Sequence, residues 1–209
     1  MAIIDHPNKN NLSNIDTIIF DSYSTLLTTP ELRIRKYLED YSLQKQKEIF
    51  QILEKTNTFE DVLNTIQFKN ENKKNEFLSI IKNDLKTIKP YPETIDVLNK
   101  LKEKYTILID SYLLPPYEEP IIKYFNQIVN KIILSFQEEF PKWEDQHYEN
   151  LKNRLNKSWD KILFIWDNYK KDYILPKNHN FNALHLQRAG KTHQESIEDL
   201  NELVTLLNN

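Results

Sequence analysis

The sequence predicts an α/β protein, a doubly wound parallel sheet carrying an all-helical insert. Two observations lead there: five short apolar runs of strand length, and helical periodicity in the segments between them. A third, the strand-free stretch 30–88, predicts the insert.

The first apolar run, residues 15–20 (IDTIIF), stops at Asp21-Ser22. Its β-branched content and abrupt polar end read as a strand followed by a loop. Residues 106–110 (TILID) repeat the pattern and stop at Ser111. Residues 131–135 (KIILS) and 161–166 (KILFIW) repeat it again, the latter ending at Asp167-Asn168, and 182–187 (NALHLQ) supply a fifth strand. A helix is expected after Pro92, where Ile95, Val97, Leu98 and Leu101 recur at helical spacing and proline suits the first turn. Residues 118–127, 144–156 and 193–207 read as further helices. Within 30–88, Leu32, Ile34 and Leu38, then Phe50, Ile52 and Leu53, keep a helical rhythm, and Thr58 with Asp61 three residues on is a variant N-cap signature.

Composition excludes several function classes. The 209 residues include no cysteine, so thiolate zinc sites, disulfides and a cysteine nucleophile are ruled out. Gly190 is the one glycine, so neither a P-loop nor a dinucleotide fingerprint can be built. The balance of 28 Lys+Arg against 31 Asp+Glu gives no bulk attraction to nucleic acid or to an anionic membrane. No stretch approaches the roughly 20 apolar residues of a membrane span. A cytoplasmic location and a small-molecule substrate are expected, with no nucleic-acid or membrane partner.

In an open parallel sheet the ligand crevice lies beyond the carboxyl ends of the strands. Asp21, Ser111 and Asp167 all fall at that edge. Converging carboxylates suit a hard cation such as magnesium, and Asp172 is placed to join them from the next turn. Taken singly, Asp and Ser after a strand also serve as turn formers and helix caps.

These residues carry a resemblance. Phe20-Asp21-Ser22-Tyr23-Ser24-Thr25-Leu26 resembles the first motif of the haloacid dehalogenase-like hydrolases, a strand ending in a nucleophilic aspartate with a turn and a threonine behind it. Ile107 to Ser111 resembles the second motif, Phe140-Pro141-Lys142 the site of the third-motif lysine, and Ile162 to Asp172 the acidic fourth motif. The resemblance implies a core of residues 1–27 and 89–209 and a helical cap of residues 28–88. It implies Asp21 as nucleophile, Ser111 and Lys142 as catalytic partners, and Tyr23, Thr25 and Tyr112 beside the substrate. It further implies magnesium held by Asp21, the Tyr23 carbonyl, Asp167 and Asp172. Arg33 and Arg35 lie just inside the insert, where one of them is placed to reach a substrate anion.

Three functions remain open at this point. Asp167 and Asp172 match a magnesium-dependent phosphatase of small phosphorylated metabolites, working through an aspartyl-phosphate. Tyr23 stands where such phosphatases place a second aspartate, and tyrosine there resembles the 2-haloacid dehalogenases, whose leaving halide needs no proton. Ser24 and Trp166 stand where the family commonly has glycine, which matches a catalytically impaired member that binds a ligand or partner. The five histidines form no metal-spaced pair and read as surface or packing residues.

Overall fold

The computed structural model describes residues 9–29, 41–53, 56–138, 142, 144–169, 174–179, 181–188, 190 and 196–208. Six strands form one sheet: β1 (Thr17–Phe20), β2 (Thr106–Ser111), β3 (Lys131–Leu134), β4 (Ile162–Trp166), β5 (Asn182–Leu186) and β6 (Ser196–Ile197). Their order is β3-β2-β1-β4-β5-β6 and every pairing is parallel. The topology therefore reverses direction at β1, and the crevice of a doubly wound sheet opens beside that strand. In register, Phe20 pairs with Ile109 on one side and Ile165 on the other, so the chain leaves β1, β2 and β4 at one level.

Helices cover both faces. Ile18 and Phe20, Ile107 and Ile109, and Leu163 and Ile165 point to one face, packing with α4 (Thr94–Leu101) and α8 (Leu200–Leu207). Ile19, Leu108, Phe164 and Trp166 point to the other, under Tyr148 and Leu151 of α6 (Asp145–Leu155). Two-sided burial explains why these strands read as unbroken apolar runs instead of alternating. The remaining helices against the sheet are α5 (Glu118–Phe125) and the short α7 (Ile174–Asn178).

Between β1 and β2 the chain makes α1 (Leu43–Leu53), α2 (Phe59–Thr65) and α3 (Glu71–Thr87). Ile49, Val62, Ile66, Phe77 and Ile81 give this excursion an apolar cluster of its own. Thr58 caps α2 as its spacing predicts, its Oγ1 accepting from the Asp61 N–H at 3.1 Å, and Asn70 caps α3 through the Lys73 N–H. The two ends of the excursion are zipped together: Thr28 N–H donates to the Lys89 carbonyl at 2.8 Å, and Tyr91 N–H to the Leu26 carbonyl at 3.1 Å.

The C-terminal expectation needs correction. Instead of one helix over 193–207, Ser196 and Ile197 form β6, and Asp199 caps α8 by accepting from the Glu202 N–H at 2.9 Å. Ile197 is fully buried at the sheet edge, and its backbone pairs β5, which outweighs the helical pattern of its neighbours. The other strands and helices hold within a residue or two of their sequence bounds. Leu32, Arg33, Ile34, Arg35 and Leu38 lie outside the described residues.

Candidate active site

Asp21 leaves β1 with its backbone N–H still bonded to the Ile165 carbonyl of β4, 3.1 Å away. Ser22 then accepts from both the Leu26 and Leu27 N–H groups at 2.8 Å through its carbonyl, which closes a tight turn. That turn puts Ser24 at φ +61°, the left-handed region. A serine there bears the strain a glycine would avoid, and its hydroxyl bonds the Thr29 hydroxyl across the turn. Trp166 differs: it lies within regular strand β4, so no positive φ is forced on it.

Lys142 reaches this strand end from the loop before α6. Its Nζ donates to Asp21 Oδ1 at 2.8 Å, with 4% of the lysine side chain and 14% of the aspartate side chain exposed. The ammonium also sits 4.2 Å from the centroid of the Trp166 ring, a cation–π contact. Trp166 thus forms one wall of the lysine site, occupying space beside Asp21. On the opposite face of the sheet, Ser22 and Ser111 hydrogen-bond through their hydroxyls. Asp21, Lys142 and Ser111 are therefore brought to one strand edge.

The Tyr23 side chain packs edge-on against the Tyr117 ring. Its hydroxyl donates to the Tyr117 carbonyl at 2.6 Å, and the Tyr117 hydroxyl donates to Asp84 of α3 at 3.0 Å. Burial pushes the Tyr23 phenol well above its ordinary pKa, and the carboxylates of Glu118 and Asp84 push it further. Burial does the same to Tyr117, with Asp84 adding to it. Neither phenol is an acid or base near neutral pH. Thr25 is fully buried, and among the described residues nothing hydrogen-bonds its Oγ1. Tyr112, the residue after β2, is 38% exposed.

Asp167 follows β4, the strand next to β1, and its carbonyl lies 2.8 Å from His185 Nε2. Burial raises the Tyr91 pKa against the opposing charge of Arg188, with the Asp167 and Glu93 charges adding to the rise. Among the described residues no three His, Cys, Asp or Glu side chains converge as a metal site, and Asp172, Phe140, Pro141 and Trp143 lie outside those residues. The carboxylates of Asp21 and Asp167, which follow the adjacent strands β1 and β4, are oxygen donors, the chemistry magnesium prefers. One oxygen of Asp21 is already taken by Lys142.

Two features had no signal in the sequence. Arg188, just past β5, donates to Glu93 and to the Thr25 carbonyl at 2.7 Å each, with its guanidinium 3.5 Å above the Tyr91 ring. It clamps the turn after Asp21 to the segment that returns from the helical excursion. His147 is buried against Tyr148 and also pairs with Asp110 at 2.9 Å, both side chains being buried. A lone arginine and a lone histidine belong to no motif, and only the fold brings them to their partners.

A parallel sheet of this order, with an aspartate after its central strand paired to a lysine from a later loop, defines a Rossmann-like α/β protein whose Asp–Lys pair lies at the switch point. No protein-family model matches the chain, and no curated protein matches it in sequence. Solved structures do resemble it: a dehalogenase with an intermediate complex (TM-score 0.68, 16% identity, 94% of this chain and 99% of that one), and a HAD phosphatase from Thermococcus onnurineus (0.66, 17%, 92% and 98%). A third is a HAD family enzyme from Bacteroides thetaiotaomicron in complex with magnesium and inorganic phosphate (0.64, 15%, 85% and 96%). The chain has the haloacid dehalogenase-like fold.

Proposed function

We propose that this chain is a hydrolase that uses Asp21 as a covalent nucleophile on a small phosphorylated substrate. The observation that carries this reading is the Asp21–Lys142 pair at 2.8 Å at the end of the central strand. Lys142 neutralises the negative charge that would otherwise repel an anionic substrate from an anionic nucleophile. One oxygen of Asp21 attacks phosphorus, the bond to the leaving oxygen breaks, and water then attacks phosphorus to release phosphate and restore Asp21. Ser111, at the end of β2, would serve as hydroxyl donor to a phosphoryl oxygen by exchanging its present bond to the Ser22 hydroxyl. Asp21, Asp167, the Tyr23 carbonyl and Asp172 would hold magnesium, which when bound shields the charge between nucleophile and phosphate. The helices between Leu43 and Thr87 act as a cap over this edge and supply the contacts that select the substrate.

The hydroxyl of Tyr23 is committed to the Tyr117 carbonyl and donates no proton to a leaving group. The favoured substrates are therefore aryl and acyl phosphates, whose leaving groups depart without protonation. The same observation supports a second reading, displacement of halide from a short 2-haloacid, since halide also needs no proton.

Turnover of a panel of phosphates and short 2-haloacids in water enriched in oxygen-18, with and without magnesium, tests both. In the first reading the label appears in released phosphate and Asp21 keeps its own oxygens. In the second, water attacks the Asp21 carboxyl carbon of the ester intermediate, and label enters Asp21. Turnover undiminished in Asp21→Asn would sink both.

A further inference from the structure

Asp110 and His147 form a buried hydrogen-bonded pair that the steps above do not use. Their atoms are 2.9 Å apart, and the side chains are 0% and 4% exposed. Such a buried pair is commonly no more stabilising than apolar residues of the same volume, so its presence at this place asks for another reason. The place is informative. Asp110 immediately precedes Ser111 and lies on the face of the sheet that carries Leu108 and Trp166, the face from which Lys142 approaches Asp21. His147 sits in the first turn of α6, five residues after Lys142. The pair thus fastens the start of α6, and with it the loop that delivers Lys142, to the end of β2.

Electrostatics point the same way. Burial pushes the Asp110 carboxyl upward, but the charge and hydrogen bond of His147 together with the charges of Lys142 and Arg154 outweigh it. The carboxyl is held below its ordinary range, and Lys142 is one of the charges it feels. Among the described residues no group hydrogen-bonds its second oxygen, Oδ1.

We propose that Asp110 and His147 are a positioning pair for Lys142, fixing its ammonium between the Asp21 carboxylate and the Trp166 ring. The proposal rests on the role given to Lys142 above, but its test does not require turnover.

The test is the side-chain ammonium resonance of Lys142 in protein labelled with nitrogen-15 at lysine, assigned by its loss in Lys142→Arg. It is read in Asp110→Asn, His147→Gln and the apolar double variant Asp110→Leu/His147→Leu. The expected result is a double variant that unfolds cooperatively like the parent while the Lys142 resonance moves toward those of exposed lysines. If turnover is found, kcat in the double variant falls ~100-fold, the scale of misplacing a reacting group by about 1 Å. A folded double variant with an unmoved Lys142 resonance overturns the proposal. So does a double variant that fails to fold, since the pair would then serve the stability of the sheet and α6. The hydrolase reading fails separately, by turnover that Lys142→Met leaves unchanged.

Discussion

Asp21→Leu removes the carboxylate 2.8 Å from a lysine ammonium that is only 4% exposed, whereas Lys142→Met removes the ammonium from an aspartate that is 14% exposed. The two losses are unequal in cost. Removing one member of a buried pair costs about 3–5 kcal/mol, and the partial exposure of Asp21 puts Asp21→Leu near the lower end, about 3 kcal/mol. In Lys142→Met the aspartate regains water on its exposed side and the methionine fills the space over Trp166. A sulfur–aromatic contact there recovers part of the cation–π energy, leaving a loss of about 1 kcal/mol. Urea unfolding at neutral pH, with unchanged denaturant slope, reads the difference of about 2 kcal/mol as a shift in midpoint. If Lys142→Met costs as much as Asp21→Leu or more, Lys142 is not the buried, counter-charge-dependent member of the pair.

Further expectations follow from other residues. Tyr23→Phe loses the 2.6 Å bond to the Tyr117 carbonyl and is destabilised by about 1 kcal/mol, while kcat on an aryl phosphate changes little; a large drop in kcat would make Tyr23 a proton donor after all. Ser24 at φ +61° tolerates glycine, because about 1–2 kcal/mol of relieved strain is offset by the greater freedom of the unfolded chain. Ser24→Val, in contrast, lowers Tm clearly, and equal Tm values for the two variants would argue against a strained turn. Burial lowers the Lys177 pKa from 10.5 to about 8. Folding is thus disfavoured in full below pH 8, and stability rises between pH 8 and 10.5, a rise that Lys177→Met should abolish in denaturation curves taken across that range. The lowered carboxyl of Asp110 has the opposite form: its contribution is present above its unfolded value of 3.8 and is lost as pH falls through the folded value. The stability gap between parent and Asp110→Asn therefore narrows on acidification below pH 3.8, and a gap that stays constant would contradict the ion pair.

Much of the framework was legible because local patterns carry it. Apolar runs such as Ile162 to Trp166 are unbroken because both faces of the sheet are covered, and the polar residues that stop them mark the ligand edge. The N-cap at Thr58 was likewise written in its spacing to Asp61. Less legible was whatever depends on contacts between distant segments. The two-residue strand β6 is too short for a periodic signal and exists because β5 offers it an edge. Arg188 reaches Thr25, and His147 reaches Asp110, across separations of 163 and 37 residues. The glycine positions divide in a way that sequence could not foresee: Ser24 takes the left-handed turn itself, and Trp166 stays in the strand and becomes a surface for Lys142. Nothing local to Tyr23 in the sequence points to Tyr117, 94 residues on, whose carbonyl accepts from its hydroxyl.

The most direct measurement of the central claim is an acid-quenched single turnover on an aryl phosphate, followed by mass mapping of the peptides. The account predicts a phosphoryl adduct on the peptide containing Asp21, absent in Asp21→Asn and reduced in Lys142→Met. Turnover with no adduct on Asp21, or with the adduct on another residue, contradicts it.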